Sequence, residues 1–192
     1  MHKKLLVAAM CAVPFGFVTW ASPVRAPVDP ALGQLLADTI ERNAIGDEVA
    51  LSKWYSGKPV QDSQREAAVL ADVQAKAAGH GLPAASAVRF FAAQIEANKL
   101  VQYALLDQWE RRDGAPERRP PDLEALRKRL DVLQDRLLIA LASSEALRQS
   151  PSCRTIVAKA VQEQVDARGL DSLHRVALQR GLGDFCPAGA RR

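Results

Sequence analysis

This sequence predicts an all-α protein, on three observations. Ala, Leu, Glu, Gln, Arg and Lys dominate while aromatic residues are only 5%, a balance that favours helix over strand. Apolar residues recur at spacings of three and four, as in Leu32, Leu35, Leu36 and Ile40, which is the period of a helix face. Glycine and proline gather between such segments, at Gly57 to Pro59, Gly79 to Pro83 and Gly114 to Pro121, where they end helices. With 192 residues, 48% apolar and 25% charged, the chain can bury one sizeable core with an appended subdomain.

Residues 1–21 have the three-part layout of a secretory signal peptide: Lys3 and Lys4, an apolar run from Leu5 to Trp20, then Ala21 and Ser22. Pro14 and Gly16 interrupt the run, and it is short for a membrane span. Cleavage is expected near Ala21 or as late as Ala26, giving a periplasmic or secreted protein with no membrane segment. Of the chain's +4 formal charge, loss of Lys3 and Lys4 leaves +2. The remaining bases are interleaved with acids, so nucleic acid is not an expected partner. Cys11 leaves with the signal, and the surviving pair, Cys153 and Cys186, is expected to form a disulfide in an oxidising compartment. Two separate buried thiols are the other reading. A cystine closing about 34 residues contributes roughly 3 to 4 kcal/mol by restricting the unfolded chain.

After an extended lead-in from Pro23 to Pro30, the first helix runs through Val49 and Trp54 to a stop at Gly57 and Pro59. Gly46 inside it is a mild cost. Ser63-Gln64-Arg65-Glu66 reads as a capping box, and the second helix continues to about Gly79. A third is expected from near Ala84 to about Arg112, with Val88, Phe91, Ile95 and Leu105 on its apolar face and Gln94, Asn98 and Gln102 in a polar row. That row can converge on one ligand or face water. Prolines exclude helix over most of residues 114–121, making them a linker between residues 27–113 and a C-terminal region, 122–192. There Leu123, Leu126, Leu130, Leu133 and Leu137 form a core-packing stripe, with Arg136 at its edge. Ser150-Pro151-Ser152 ends this helix. Shorter helices follow at about Cys153 to Arg168 and Asp171 to Arg180, tied together by the cystine.

The stretch from Thr39 to Glu66 carries Arg42, Lys53, Asp62, Arg65 and Glu66. Eleven residues are close to three helical turns, so Arg42 and Lys53 share a face roughly 16 Å apart along it. They can close on one small anion, or be simply solvated. The chain has no glycine-rich phosphate loop, HExxH, CxxC or GxSxG. His80 and His174 stand in separate contexts and read as structural, so no metal or cofactor is expected. What remains is cations, amides and two carboxylates without a nucleophile. Such a set can bind a small polyanion and stabilise charge moving within it.

Three runs carry a resemblance: Glu41-Arg42-Asn43 with Leu51-Ser52-Lys53-Trp54, then Lys58 to Glu66, then Phe91 to Gln102. Together they resemble the all-helical AroQ-type chorismate mutases. The exported, gamma subclass is the better match, through the signal peptide, Pro120-Pro121-Asp122-Leu123 and the late cysteine pair. The resemblance covers about residues 30 to 186. It implies the cofactor-free rearrangement of chorismate to prephenate, a [3,3] shift in which negative charge develops on the ether oxygen. By motif, Arg42 and Arg136 would meet the substrate carboxylates, Lys53 and Gln102 the ether oxygen, and Asp62 and Glu66 the ring hydroxyl. Arg65 would be a further cation. Asn98 stands where the family uses a small hydroxyl residue, and would contact a carboxylate. Gln102 stands where some relatives carry Glu; an amide donates without first being protonated, so activity should depend less on acidic pH. The resemblance also implies a complete site within one chain, whether or not the protein forms a homodimer. Two other readings are an isochorismate pyruvate lyase of the same fold and a non-catalytic exported anion-binding or interaction module.

Overall fold

A computed structural model describes residues 29–187. The proposed signal peptide lies outside the described residues. The architecture is all-α, as expected. Helix α1 spans Pro30–Ser56, α2 Ser63–Ala77, α3 Ala84–Glu110, α4 Leu123–Ser143, α5 Glu145–Gln149, α6 Cys153–Arg168 and α7 Ser172–Gly181, with a 3-10 turn over Ala78–His80. No helix among the described residues is long and apolar enough to cross a membrane.

Helix α1 is bounded by its own chemistry. Asp29 accepts from the amides of Ala31 and Leu32 at 2.8 and 3.1 Å, with Pro30 in the first turn. At the other end Gly57 adopts φ 66°, which costs glycine nothing, and its amide closes on the Lys53 carbonyl at 2.9 Å. Helix α2 starts one residue earlier than a Ser63 cap would place it. Its cap is Asp62, whose Oδ1 accepts from the Arg65 amide at 3.1 Å, while Glu66 reaches back to the Asp62 amide at 3.4 Å. An aspartate caps at least as well as a serine, and Ser63 is left to accept from Gln61.

The helix expected to continue from α4 to Gln149 is broken at Ser144. The buried Ser144 hydroxyl donates to the Ala140 carbonyl at 2.7 Å, a back-bond that bends helices.

Helix α1 packs against α3 and α4. Leu32, Leu35 and Leu36 share the main core with Phe90, Phe91, Leu137, Leu141 and Phe185, each such side chain stabilising by roughly 1.5 to 3 kcal/mol. The leucine stripe of α4 is core-facing: Leu126 and Leu133 meet Ile45 and Val49 of α1, with Leu123 and Leu130 at their margin. Cys153 and Cys186 form the disulfide, with Cα atoms 6.0 Å apart. It ties the start of α6 to the turn after α7.

Candidate active site

Between α1, α2, α3 and α4 lies a cavity of about 310 Å³. Helix α1 contributes Arg42 and Lys53, α2 Arg65 and Glu66, α3 Asn98, Lys99 and Gln102, and α4 Arg127 and Asp131. The loop before α2 adds Lys58, Gln61 and Asp62, and Val49, Val69, Ile95, Leu123 and Leu130 form the apolar wall. Six cations thus face three carboxylates. None of the lining side chains carries a hydroxyl, thiol or imidazole.

Gly46 explains how α1 and α3 come close enough to build this wall. A Cβ there would lie 3.0 Å from Asn98 Nδ2 and 3.3 Å from Val101. The glycine therefore lets Asn98 reach α1, where its amide donates to the Arg42 carbonyl at 2.8 Å. Asn98 Oδ1 in turn accepts from Gln102 Nε2 at 2.8 Å. The polar row of α3 is buried, with Gln94, Asn98 and Gln102 at 0%, 7% and 4% exposure, so it does not face water. Its members divide the work: Gln94 donates to Thr39 and to the Gly181 carbonyl, away from the cavity, while Asn98 orients Gln102.

Arg42 is buried at 5% exposure, and its Nε has no hydrogen-bond partner among the described residues. Burial pushes its pKa down to about 10; Asp131 works against that shift and Arg65 adds to it. The guanidinium remains charged at neutral pH. Lys53 is also buried, and its ammonium donates to the Val60 carbonyl at 2.7 Å. Burial lowers its pKa most, opposed by Asp62 and reinforced by Arg127. Two ion pairs cross between α4 and the start of α2: Arg65 to Asp131 at 2.6 Å and Arg127 to Asp62 at 3.2 Å.

Seven of the eight residues expected to bind substrate line the cavity, namely Arg42, Lys53, Asp62, Arg65, Glu66, Asn98 and Gln102. The eighth, Arg136, does not, and its expected role is corrected accordingly. It is held by Asp38 and Glu41 of α1, outside the cavity. The cation that α4 does present is Arg127. Nine residues at about 100° each make two and a half turns, so the two arginines occupy opposite faces of α4. Lys99 and Arg127 were not singled out from the sequence. The available signal was the polar row Arg127, Asp131 and Gln134 at i, i+4 and i+7, beside the leucine stripe.

A sequence model described as chorismate mutase type II matches residues 27–103. A secreted chorismate mutase from Mycobacterium tuberculosis is 31% identical over 85% of this chain and 82% of its own length. The chain belongs to this family. A secreted chorismate mutase from Mycolicibacterium smegmatis is 29% identical over 97% of the chain and 99% of its own length. Among solved structures, a chorismate mutase from Burkholderia phymatum superposes with TM-score 0.79 at 41% identity, covering 81% of this chain and 96% of the other. One from Burkholderia thailandensis has TM-score 0.79 at 37% identity, covering 82% and 100%. Both likenesses extend beyond residue 103, so these two structures share helices of this chain that lie past the matched sequence model.

Proposed function

We propose that this cavity rearranges chorismate to prephenate by electrostatic stabilisation of a [3,3] shift. The observation that carries the reading is the excess of buried or half-buried cations around an apolar-walled cavity with no nucleophile. Family membership selects the substrate. A dianion with a ring suits such a lining, because charge-assisted hydrogen bonds take the carboxylates and the aliphatic wall takes the ring.

Arg42 and Arg127 receive the two carboxylates. Arg65 adds positive potential beside them. As the ether bond breaks, Lys53 and Gln102 donate to the oxygen on which charge gathers. Lys53 exchanges its Val60 contact for that oxygen, and Asn98 holds the Gln102 amide in register. Asn98 therefore acts on Gln102, in place of the carboxylate contact the resemblance implies. Asp62 and Glu66 accept from the ring hydroxyl. All these groups come from one chain, with α4 completing the site. A homodimer would leave that site intact. The signal-like leader and the cystine support an exported protein, in keeping with relatives named as secreted.

Chorismate consumption by the mature, oxidised protein tests the reading. Lys53→Ala should lose roughly 10² to 10³ in turnover, as expected for removal of one oxyanion donor, with its helical signal intact. Near-normal turnover would remove Lys53 from the mechanism. Product analysis with isochorismate separates the pyruvate-lyase reading, and binding of chorismate without conversion would favour the non-catalytic one.

A further inference from the structure

Lys99 is a cavity residue to which the proposed chemistry assigns no task. It follows Asn98 on α3, and its side chain is only 12% exposed. The ammonium lies 3.0 Å from Gln61 Oε1, 3.1 Å from Glu66 Oε2 and 2.7 Å from Glu96 Oε1. An ammonium has three N–H groups, so these three acceptors use its donor capacity. Gln61 belongs to the loop before α2, Glu66 to α2 and Glu96 to α3 itself. Lys99 is thus a point at which the loop and the first turn of α2 are fastened to α3.

The fastening fixes one carboxylate in particular. Glu66 Oε2 accepts from Lys99, while Glu66 Oε1 takes the Asp62 amide at 3.4 Å. Each carboxylate oxygen keeps a further lone pair, so Glu66 is oriented without being used up. Released from Lys99, the same carboxylate stands within electrostatic reach of Lys53. It would then be free to turn toward that ammonium and away from a hydroxyl at the cavity wall.

We propose that Lys99 is a positioning residue: it holds the Glu66 carboxylate in the orientation that accepts the substrate's ring hydroxyl. The proposal rests on the chorismate reading and on the place of Glu66 within it. Lys99 touches no reacting atom, so its loss weakens substrate binding more than it slows the chemical step.

The test is a double-variant cycle in the full mature protein, with KM and kcat measured on chorismate and folding checked by thermal melting. Lys99→Met should raise KM about tenfold, the scale of one charge-assisted hydrogen bond, with a smaller change in kcat. Lys99→Arg, which keeps a cation against Glu66, should restore most of the loss. In a Glu66→Ala background, Lys99→Met should add little to KM, because the carboxylate it positions is gone. An equal KM penalty in both backgrounds would show Lys99 acting on the substrate by its own charge and overturn the proposal. So would an unchanged KM in Lys99→Met, or a loss that Lys99→Arg fails to restore. Each of those outcomes leaves a wild-type enzyme that still converts chorismate. A wild-type protein inert toward chorismate would instead sink the function, and this role with it.

Discussion

Arg42 and Arg148 are both buried arginines, 5% and 3% exposed, in two regions of the same helical body. Their surroundings differ completely. In the C-terminal region Arg148 donates from Nε to the Phe185 carbonyl at 3.0 Å, and from its terminal nitrogens to Glu145 and Ser86 at 2.6 Å each. The Phe185 ring lies 5.9 Å from its guanidinium carbon. Arg42, in the cavity, keeps an Nε with no partner among the described residues. A buried cation bonded on all sides holds chain segments together, whereas one that lines a cavity keeps charge that an anion entering it can meet. The desolvation that lowers the pKa of Arg42 is the stability cost of that readiness.

Breaking the contrast from the cavity side should give the largest effect. Arg42→Met should lower kcat/KM by about 10³, in the range of lost preorganised donors, while the thermal midpoint holds or rises because a buried charge only partly offset by Asp131 has gone. The converse variant, Arg148→Met, should cost about 1 to 3 kcal/mol in denaturant unfolding by leaving the buried Phe185 carbonyl without its donor, with turnover of the folded fraction unchanged.

A second pair sharpens the comparison within one helix. Arg127→Ala should raise KM by roughly tenfold or more, the scale of a lost charge-assisted bond. Arg136→Ala should leave kcat/KM nearly unchanged and cost about 1 kcal/mol, as Asp38 stays buried with one fewer partner. Burial is already the main influence holding the Asp38 carboxyl above its ordinary pKa. A large loss of activity in Arg136→Ala would return that residue to the site.

The smallest effect concerns the tie between the two regions. His174 of α7 contacts Asp47 of α1 at 3.1 Å and Asp171 at 2.9 Å. The Asp47 contact does most to raise its pKa from 6.5 to about 9, against desolvation and with help from Asp171. Because the folded value is the higher one, the charged ring stabilises fully below about pH 6.5 and its contribution disappears as pH rises through about 9. Thermal melts from pH 7 to 10 should therefore fall more steeply in the wild type than in His174→Gln. Parallel curves would show the tie to be energetically silent.

Much of the cavity lining was legible in the sequence, and the misses share one cause. Counting turns put Arg42 and Lys53 on one face of α1 without deciding between an anion and solvent, and the family resemblance singled them out together with Asp62, Arg65 and Glu66. Arg136 was correctly read as flanking the leucine stripe of α4. A stripe has two edges, however, and only the placement of α2 opposite one of them, bridged by Arg65 to Asp131 and Arg127 to Asp62, decides which edge walls a cavity. Arg127 occupies that edge, bonded to Asp62, and Arg136 the other, bonded to Asp38. Lys99 was passed over for the same reason, since its three acceptors come from the loop, α2 and α3 and converge only after folding. Gly46 read as a weakness in α1 and is instead the space that Asn98 needs.

The sequence by itself determined the all-α class, the helix end set by Gly57 and Pro59, and the pairing expected of Cys153 with Cys186. These depend on local periodicity, capping chemistry and cysteine count. Tertiary structure alone decided that the α3 amide row is buried, which edge of α4 faces the cavity, and which buried arginine is left with an open donor. Those outcomes depend on how apolar faces distant in sequence pack together, and a helix carries its period within itself but not the identity of its neighbours.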